Sequence, residues 1–473
     1  MGNKVASAIA KLSFKLLLLA AILAAATASP APSPQKEVPV QEIIGKVIDG
    51  RDVAYDNVTV IGDLIFRNLQ AEGKIKITKS RLAGVNLNDS SFSKSLDFSG
   101  SIFSSDADFS RAKFNEYTGF EEASFEKNVS FEEAEFPEAI FVNASFLGVS
   151  RFDYATFNDY VSFSGANFSG GSFPETTFLA ITDFTSCKFD NNTDFGKASF
   201  SDVVLFKYAN FEEGVDFLAA TFDDVIAFTS SNITKANFRL AKFKGPSHFG
   251  SVNFSQDAIF DLAQFDFLAY FIGSQFDGNL SLLSAKIANI NLQNTTFSES
   301  SKIFLKDADF SKFQTHWSHI KKYLEYDGAA YLKLVKNYKD LEWFEDADDC
   351  YYQYRSESQN LKGWGLSRIS DMLACVTCGY GVRPLNPVLC SLALIIVCTG
   401  ILWRGNGLRN PGHMDRRTEL FDAMYYTLAV FFTIPLPDLK PQGRFRYMAV
   451  LERAISWTLF ALLIATLGKV MIR

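Results

Sequence analysis

Residues able to do covalent chemistry are few and scattered. Four histidines in 473 residues leave little material for a His-based metal or acid–base centre. "CVTC" places Cys375 and Cys378 in a CxxC spacing, but zinc needs two further ligands and Cys350 is a poor candidate for either. A lone CxxC outside a βαβ context is also a weak redox signal, so these cysteines are expected to be structural. No Ser/His/Asp grouping, glycine-rich phosphate loop or paired carboxylate in a plausible cleft is present, and the Glu-Glu pairs of "FEEASF" fit a solvated face. No enzyme and no cofactor are expected. What remains is chemistry done by backbone: "FDAMYYTLAVFFTIPLPD" (421–438) is apolar, then meets two prolines one residue apart. A spanning helix needs about 20 apolar residues, so this stretch must dip into a bilayer, pack in a core, or lie between true spans.

Its flanks decide. "PVLCSLALIIVCTGILW" (387–403) is a charge-free run close to spanning length with a tryptophan at its edge. "AISWTLFALLIATLG" (454–468) is a second, extended upstream through 447–451 and interrupted by Glu452 and Arg453. Two spans bracketing a short apolar segment make 421–433 a re-entrant half-helix, because irregular backbone at membrane depth is tolerated only where protein or a water-filled cavity surrounds it. The lipid bilayer is therefore an expected partner.

Most of the 47 phenylalanines lie between Phe92 and Phe313, and from Phe120 they recur at 125, 131, 136, 141, 146, 152, 157, 163 and 168. Two residues earlier stands something small, such as Ala123, Ala134, Ala155 or Ala166, or at six-residue steps Val129, Val161, Val204 or Val215. Neither 3.6 nor 2.0 fits this period. A coil with four short sides does: Phe and a small residue point inward, and Glu, Asp, Ser and Asn point outward. With about 21 residues per coil, some eleven coils spaced ~4.8 Å apart would form a rod on the order of 50 Å long. Residues 38–81 are expected to cap it: "VPVQEIIGKVIDG" as an amphipathic helix closed by Gly50, then "VAYDNVTVIGDLIF" as a first strand pair.

The first 28 residues have the basic, apolar and small-residue zones of a signal peptide, with an uncleaved anchor as the alternative; 29–37 is a proline-rich spacer. Either reading exports the repeats. Asn-x-Ser/Thr sequons, among them Asn128 and Asn167, follow from the ladder's composition or mark glycosylation. The net charge of −7 advertises no nucleic-acid surface. Helical spacing over 314–366 (Trp317, Ile320, Leu324; Tyr331, Leu334, Tyr338; Phe344, Ala347, Tyr351, Tyr354) predicts a joint ending in a tetratricopeptide-like hairpin.

The ladder over 82–313 resembles the pentapeptide-repeat family, which implies a right-handed quadrilateral β-solenoid; its six-residue steps depart from the strict repeat and imply wider or bulged coils. The outward acidic residues are similar to those of family members that imitate DNA, an activity at odds with export. Residues 384–473 resemble the pore module of two-helix potassium channels, with Phe421, Ala423, Tyr425 and Thr427 in the pore helix. The resemblance implies a homo-tetramer and a filter at Thr433, Ile434, Pro435, Leu436, Pro437 and Asp438. Where that family has Thr-Val-Gly-Tyr-Gly-Asp, prolines stand here in place of both glycines. Such a filter points successive carbonyls at the ion, and proline cannot reach the glycine angles. Arg404, Arg409, Arg416, Arg417, Lys440, Arg444 and Arg446 place the loop between the spans in the cytoplasm, so the half-helix enters from that face, unlike potassium channels. The expectation is a channel-like membrane protein displaying an exported solenoid; the alternative is a non-conducting anchor for an extracellular scaffold or adhesion rod.

Overall fold

The computed structural model describes residues 35–409, 417–435 and 439–471. The leader, most of the spacer, and Leu436, Pro437 and Asp438 lie outside them. A β-solenoid of about 13 turns runs over residues 36–314, taking in the 38–81 segment expected to cap the eleven coils of 82–313, and α-helices follow it.

The chain divides into two compact units, residues 1–278 and 279–473. The first opens with a strand (Lys36–Pro39) that leads into helix α1 (Val40–Ile48), whose Val40, Ile43 and Val47 are buried. Gly50, at φ +67°, ends it, with its N–H donating to the Val47 carbonyl. Gly62 (φ +102°) admits Val40: a Cβ there would lie 2.9 Å from Val40 Cγ1. Val53–Asp56 and Val58–Ile61 do not pair with each other as expected. They are successive sides of one coil, and their partners are Ile75–Thr78 in the next coil and Lys36–Pro39 before it. Alternation alone cannot separate a hairpin from a coil corner; the partner strand decides.

In the later coils of this unit most sides are two-residue strands, with longer ones at Ser145–Arg151, Asn167–Ser172 and Gln264–Tyr270, and each pairs in parallel with its equivalent one coil on, as Phe103 with Phe125 and Phe125 with Phe146. The steps are 22 and 21 residues. Phenylalanine fills the bore in four columns. In one, Phe109, Phe131, Phe152, Phe173 and Phe195 stack with centroids 4.8, 4.9, 4.8 and 4.7 Å apart. Rings of neighbouring columns meet edge-on, as Phe152 with Phe163 at 5.4 Å and 85°. Face-offset stacking along the axis and edge contacts across it are the two arrangements the ring quadrupole favours. The small residue two positions earlier is buried beside each ring, as Ala123, Val129, Ala134 and Ala155 are.

The mixture of five- and six-residue steps has a geometric cause. Each five-residue step from Phe109 to Phe114, Phe120 to Phe125, Phe131 to Phe136 and Phe152 to Phe157 contains a left-handed residue two after its first Phe: Arg111, Glu122, Glu133 and Tyr154, at φ +55° to +60°. The six-residue steps Phe103 to Phe109, Phe125 to Phe131 and Phe146 to Phe152 contain no residue of positive φ. A left-handed residue turns the corner in five residues; without one the chain takes six at those corners, and five from Phe136 to Phe141 and from Phe168 to Phe173. Ser or Thr in the small-residue position bonds back to the bore, as Thr176 Oγ1 does to the Phe152 carbonyl at 2.7 Å.

In the second unit, Lys286–Asn291 pairs with Asp309–Gln314. Helices α2 (Trp317–Ile320), α3 (Gly328–Asp340) and α4 (Phe344–Asn360) follow. Asp327 caps α3 by accepting from the Ala330 N–H at 2.9 Å. Asn337 closes the last strand, accepting from the Phe313 N–H (2.8 Å) and donating to its carbonyl (2.9 Å). Helix α5 (Leu366–Cys378) was not anticipated, since serine, arginine and aspartate stand between its apolar residues along the chain. It carries Cys375 and Cys378, both free thiols.

Candidate functional site

Among the described residues two helices are long and apolar enough to cross a membrane: α6 (Leu385–Arg404) and, within α8 (Phe445–Met471), residues Phe445–Lys469, with mean hydropathies of 2.3 and 1.7. Between them lies the apolar α7 (Leu420–Phe431).

The chain leaves α6 through Gly405, Asn406 and Gly407. Gly407 donates to the Leu402 carbonyl at 2.8 Å. Phe445 presses on both glycines: a Cβ on Gly405 would fall 2.5 Å from its ring, and one on Gly407 3.0 Å from it. A two-rung antiparallel ribbon then joins Leu408 to Pro441 and Arg409 to Lys440. Thr418 fastens the return, its N–H donating to Asn406 Oδ1 (3.0 Å) and its hydroxyl meeting the Leu408 N–H and carbonyl at 3.3 Å each. The ribbon thus gathers Arg409, Lys440, Arg444 and Arg446 at one end of the helix set, and Arg446 Nε donates to the Pro441 carbonyl. Arg416 lies outside the described residues.

From this ribbon α7 runs back between the long helices. Ala423, Tyr426 and Val430 are buried with Leu402 and Leu408, and Phe445, Met448 and Ala449 pack on them. Thr427 Oγ1 and Thr399 Oγ1 share a buried hydrogen bond of 2.7 Å. Twelve residues give α7 a length of ~18 Å against the ~30 Å of a hydrocarbon core. Accordingly its end lies beside the middle of α8: a cleft of about 250 Å³ is lined by Phe431, Phe432 and Thr433 on one side and Ser456, Trp457 and Phe460 on the other.

Helix α7 ends in a C-terminal cap. The Thr433 N–H donates to the Val430 carbonyl (3.3 Å) and the Ile434 N–H to that of Ala429 (3.0 Å). Thr433 holds the left-handed position at φ +55°, which glycine usually fills. Pro435 follows, where a helix cannot continue.

Of the anticipated pore-helix residues, Ala423 and Thr427 are fully buried in the helix set, whereas Phe421 and Tyr425 are 73% and 57% exposed on the opposite face. Thr433, Ile434 and Pro435 are exposed, and Leu436, Pro437 and Asp438 lie outside the described residues. Sequence reasoning missed Tyr426 and Val430, which the Ala423, Tyr426, Thr427, Val430 spacing of one helical face could have supplied. It also treated Glu452 only as an interruption. That residue is 1% exposed on α8, with neither carboxylate oxygen hydrogen-bonded. No cluster of metal-ligating side chains occurs among the described residues.

Comparison with known families matches residues 111–156 and 131–177 to pentapeptide repeats (9 copies), and residues 389–473 to an ion channel domain. No curated protein and no solved structure matches the chain. The chain carries pentapeptide repeats and a C-terminal two-helix channel domain, and the two apolar helices and this domain make it a membrane protein.

Proposed function

We propose that the C-terminal module is a re-entrant, channel-like domain that works as a homo-tetramer and displays the solenoid on the extracytoplasmic side. The observation that carries this reading is α7: a half-length helix packed between two span-length ones and stopping beside their middle. Backbone carbonyls after such a stop cannot face lipid without cost. The exposed Phe421, Tyr425, Phe432, Trp457 and Phe460 supply a surface on which further copies would enclose the Thr433–Ile434–Pro435 segment and the residues after it. The cations at the ribbon support a cytoplasmic loop and entry of α7 from that face.

Potassium selectivity by a carbonyl cage is not part of this proposal. Pro435 fixes φ where a glycine would be free, and the chain enters the segment through the left-handed Thr433. These two residues favour the second reading, a non-conducting membrane anchor for an extracellular scaffold. Planar-bilayer recording of the purified full chain separates the two. Current that accompanies the tetramer supports the channel; silence from a folded tetramer supports the anchor. A reporter fused after Arg473 tests the orientation and should be found outside the cytoplasm.

A further inference from the structure

Helix α5 has one face tied down and one face bare. On the tied face, Asp371 accepts from Arg355 Nη2 of α4 at 2.9 Å and from Lys362 Nζ at 2.5 Å, and Cys375 Sγ lies 3.4 Å from the Tyr352 hydroxyl of α4. On the bare face stand Leu366, Ile369, Leu373 and Val376, at i, i+3, i+7 and i+10, with exposures of 86, 47, 61 and 65%. Trp364, just before the helix, is 81% exposed. A continuous apolar stripe of this kind marks an interaction surface.

Its place in the unit names the occupant. Through the turn Gly379–Gly381 the helix leads directly toward the start of α6. The last turn of α8 comes to the same level: Lys469 Nζ lies 5.2 Å over the Tyr351 ring of α4 and 4.0 Å from where a Cβ on Gly381 would stand. A helix situated where one span begins and the other ends is at the water–hydrocarbon boundary. The stripe also continues the apolar exterior of α6, where Leu385 and Leu389 are exposed. At its rim Arg368 makes no ion pair among the described residues. Its guanidinium stacks 4.6 Å from the Trp364 ring and Nη1 donates to the Lys362 carbonyl at 3.1 Å, while Nε is buried, without an acceptor, and takes no part in an outside contact.

We propose that α5 is a phospholipid-binding interfacial helix. Its Leu366–Ile369–Leu373–Val376 stripe sinks into the acyl boundary, Trp364 sits at headgroup level, and Arg368 donates to a lipid phosphate. This is the arrangement expected of an amphipathic helix lying in the bilayer plane with an apolar stripe inward and a cation snorkelling outward. A second copy of the chain is the other candidate cover, but it would take Arg368, which makes no ion pair among the described residues, away from the phosphate layer of the boundary. The inference rests on α6 and α8 crossing the bilayer, which it shares with the channel reading.

The test uses the full chain in vesicles containing brominated phospholipids, with tryptophan fluorescence as the readout. The contribution of Trp364 is the difference between the native protein and Trp364→Phe, and that of Trp457, on the exposed face of span α8, is obtained from Trp457→Phe. The expected result is a Trp364 component quenched by bromolipid and protected from aqueous iodide, with Arg368→Ala shifting it toward iodide access. A Trp364 component open to iodide and insensitive to bromolipid, beside a Trp457 component that bromolipid quenches, overturns the proposal while leaving the spans intact. Protection from both quenchers means a second copy covers the stripe, and overturns it too. If neither component responds to bromolipid, the spanning reading itself fails.

Discussion

Thr399 and Thr427 meet hydroxyl to hydroxyl at 2.7 Å inside the helix set, joining the long helix α6 to the half-helix α7. The Thr427 hydroxyl also reaches the Met424 carbonyl of its own helix at 3.0 Å, so it is the one with a second acceptor. Replacing Thr427 alone with valine strips Thr399 of its partner and is expected to cost about 1 kcal/mol. The double variant Thr399→Val/Thr427→Val leaves no orphaned hydroxyl and should recover most of that loss. A double-mutant cycle on thermal unfolding in detergent measures the coupling; additive effects would mean that the pair contributes no coupling energy.

Thr433 is β-branched and sits at φ +55°, a region that costs a side-chain-bearing residue roughly 1–2 kcal/mol. Thr433→Gly should therefore raise the unfolding temperature of the membrane domain. It should not bring potassium selectivity, because Pro435 remains fixed. Thermal melts paired with ion-substitution recordings check both halves.

Phe152 is wholly buried, stacked on Phe131 at 4.9 Å and Phe173 at 4.8 Å. Phe152→Ala opens a void in the bore that neighbouring coils cannot close, and is expected to cost ~3–5 kcal/mol. Phe267, on the same solenoid but 57% exposed, should change stability by no more than about 0.5 kcal/mol when made alanine. Denaturant titration of the two variants decides whether the aromatic columns or the backbone ladder carry the coil.

Lys362, with Arg355 behind it, holds the Asp371 carboxyl below its ordinary range. A carboxyl depressed in the folded state contributes stability above its unfolded value of about 3.9 and loses it as pH falls through the lowered folded value. The docking of α5 on α4 should thus be indifferent to pH from neutral down to about 4 and weaken progressively below it. Trp364 emission against pH follows the transition, and Asp371→Asn should abolish it.

Glu452 has neither carboxylate oxygen bonded in a packed helix interior. Burying a carboxyl that makes no hydrogen bond costs free energy that an apolar side chain of similar volume does not incur. Glu452→Met is therefore expected to unfold at or above the native temperature, and a clear fall would mean that the carboxylate is held by a partner.

How much of this was legible depended on how local the cause was. The phenylalanine ladder announced itself because each coil repeats the same inward pair, and burial of Ala123 with Phe125 or Val129 with Phe131 follows directly from that spacing. Both long helices were legible from apolar length alone. What escaped needed a distant partner. The Leu408–Arg409 and Lys440–Pro441 rungs are two residues each and carry no pattern of their own. The tight approach of Phe445 to Gly405 and Gly407 is invisible until the chain has folded back. Helix α5 was hidden because Asp371 and Arg368 sit within its apolar spacing, and their reasons lie on α4 and at Trp364.

Arg111, Glu133 and Tyr154 turn the same corner in successive circuits at nearly the same φ, while each circuit bonds only to its neighbours. Lengthening or shortening the column by one whole circuit would return every ring to a stack and every corner to a corner. A gain or loss of two or three residues would instead throw rings outward from that point on. The tower can therefore change height only in storeys, and any natural variation in its reach should come as multiples of a full circuit.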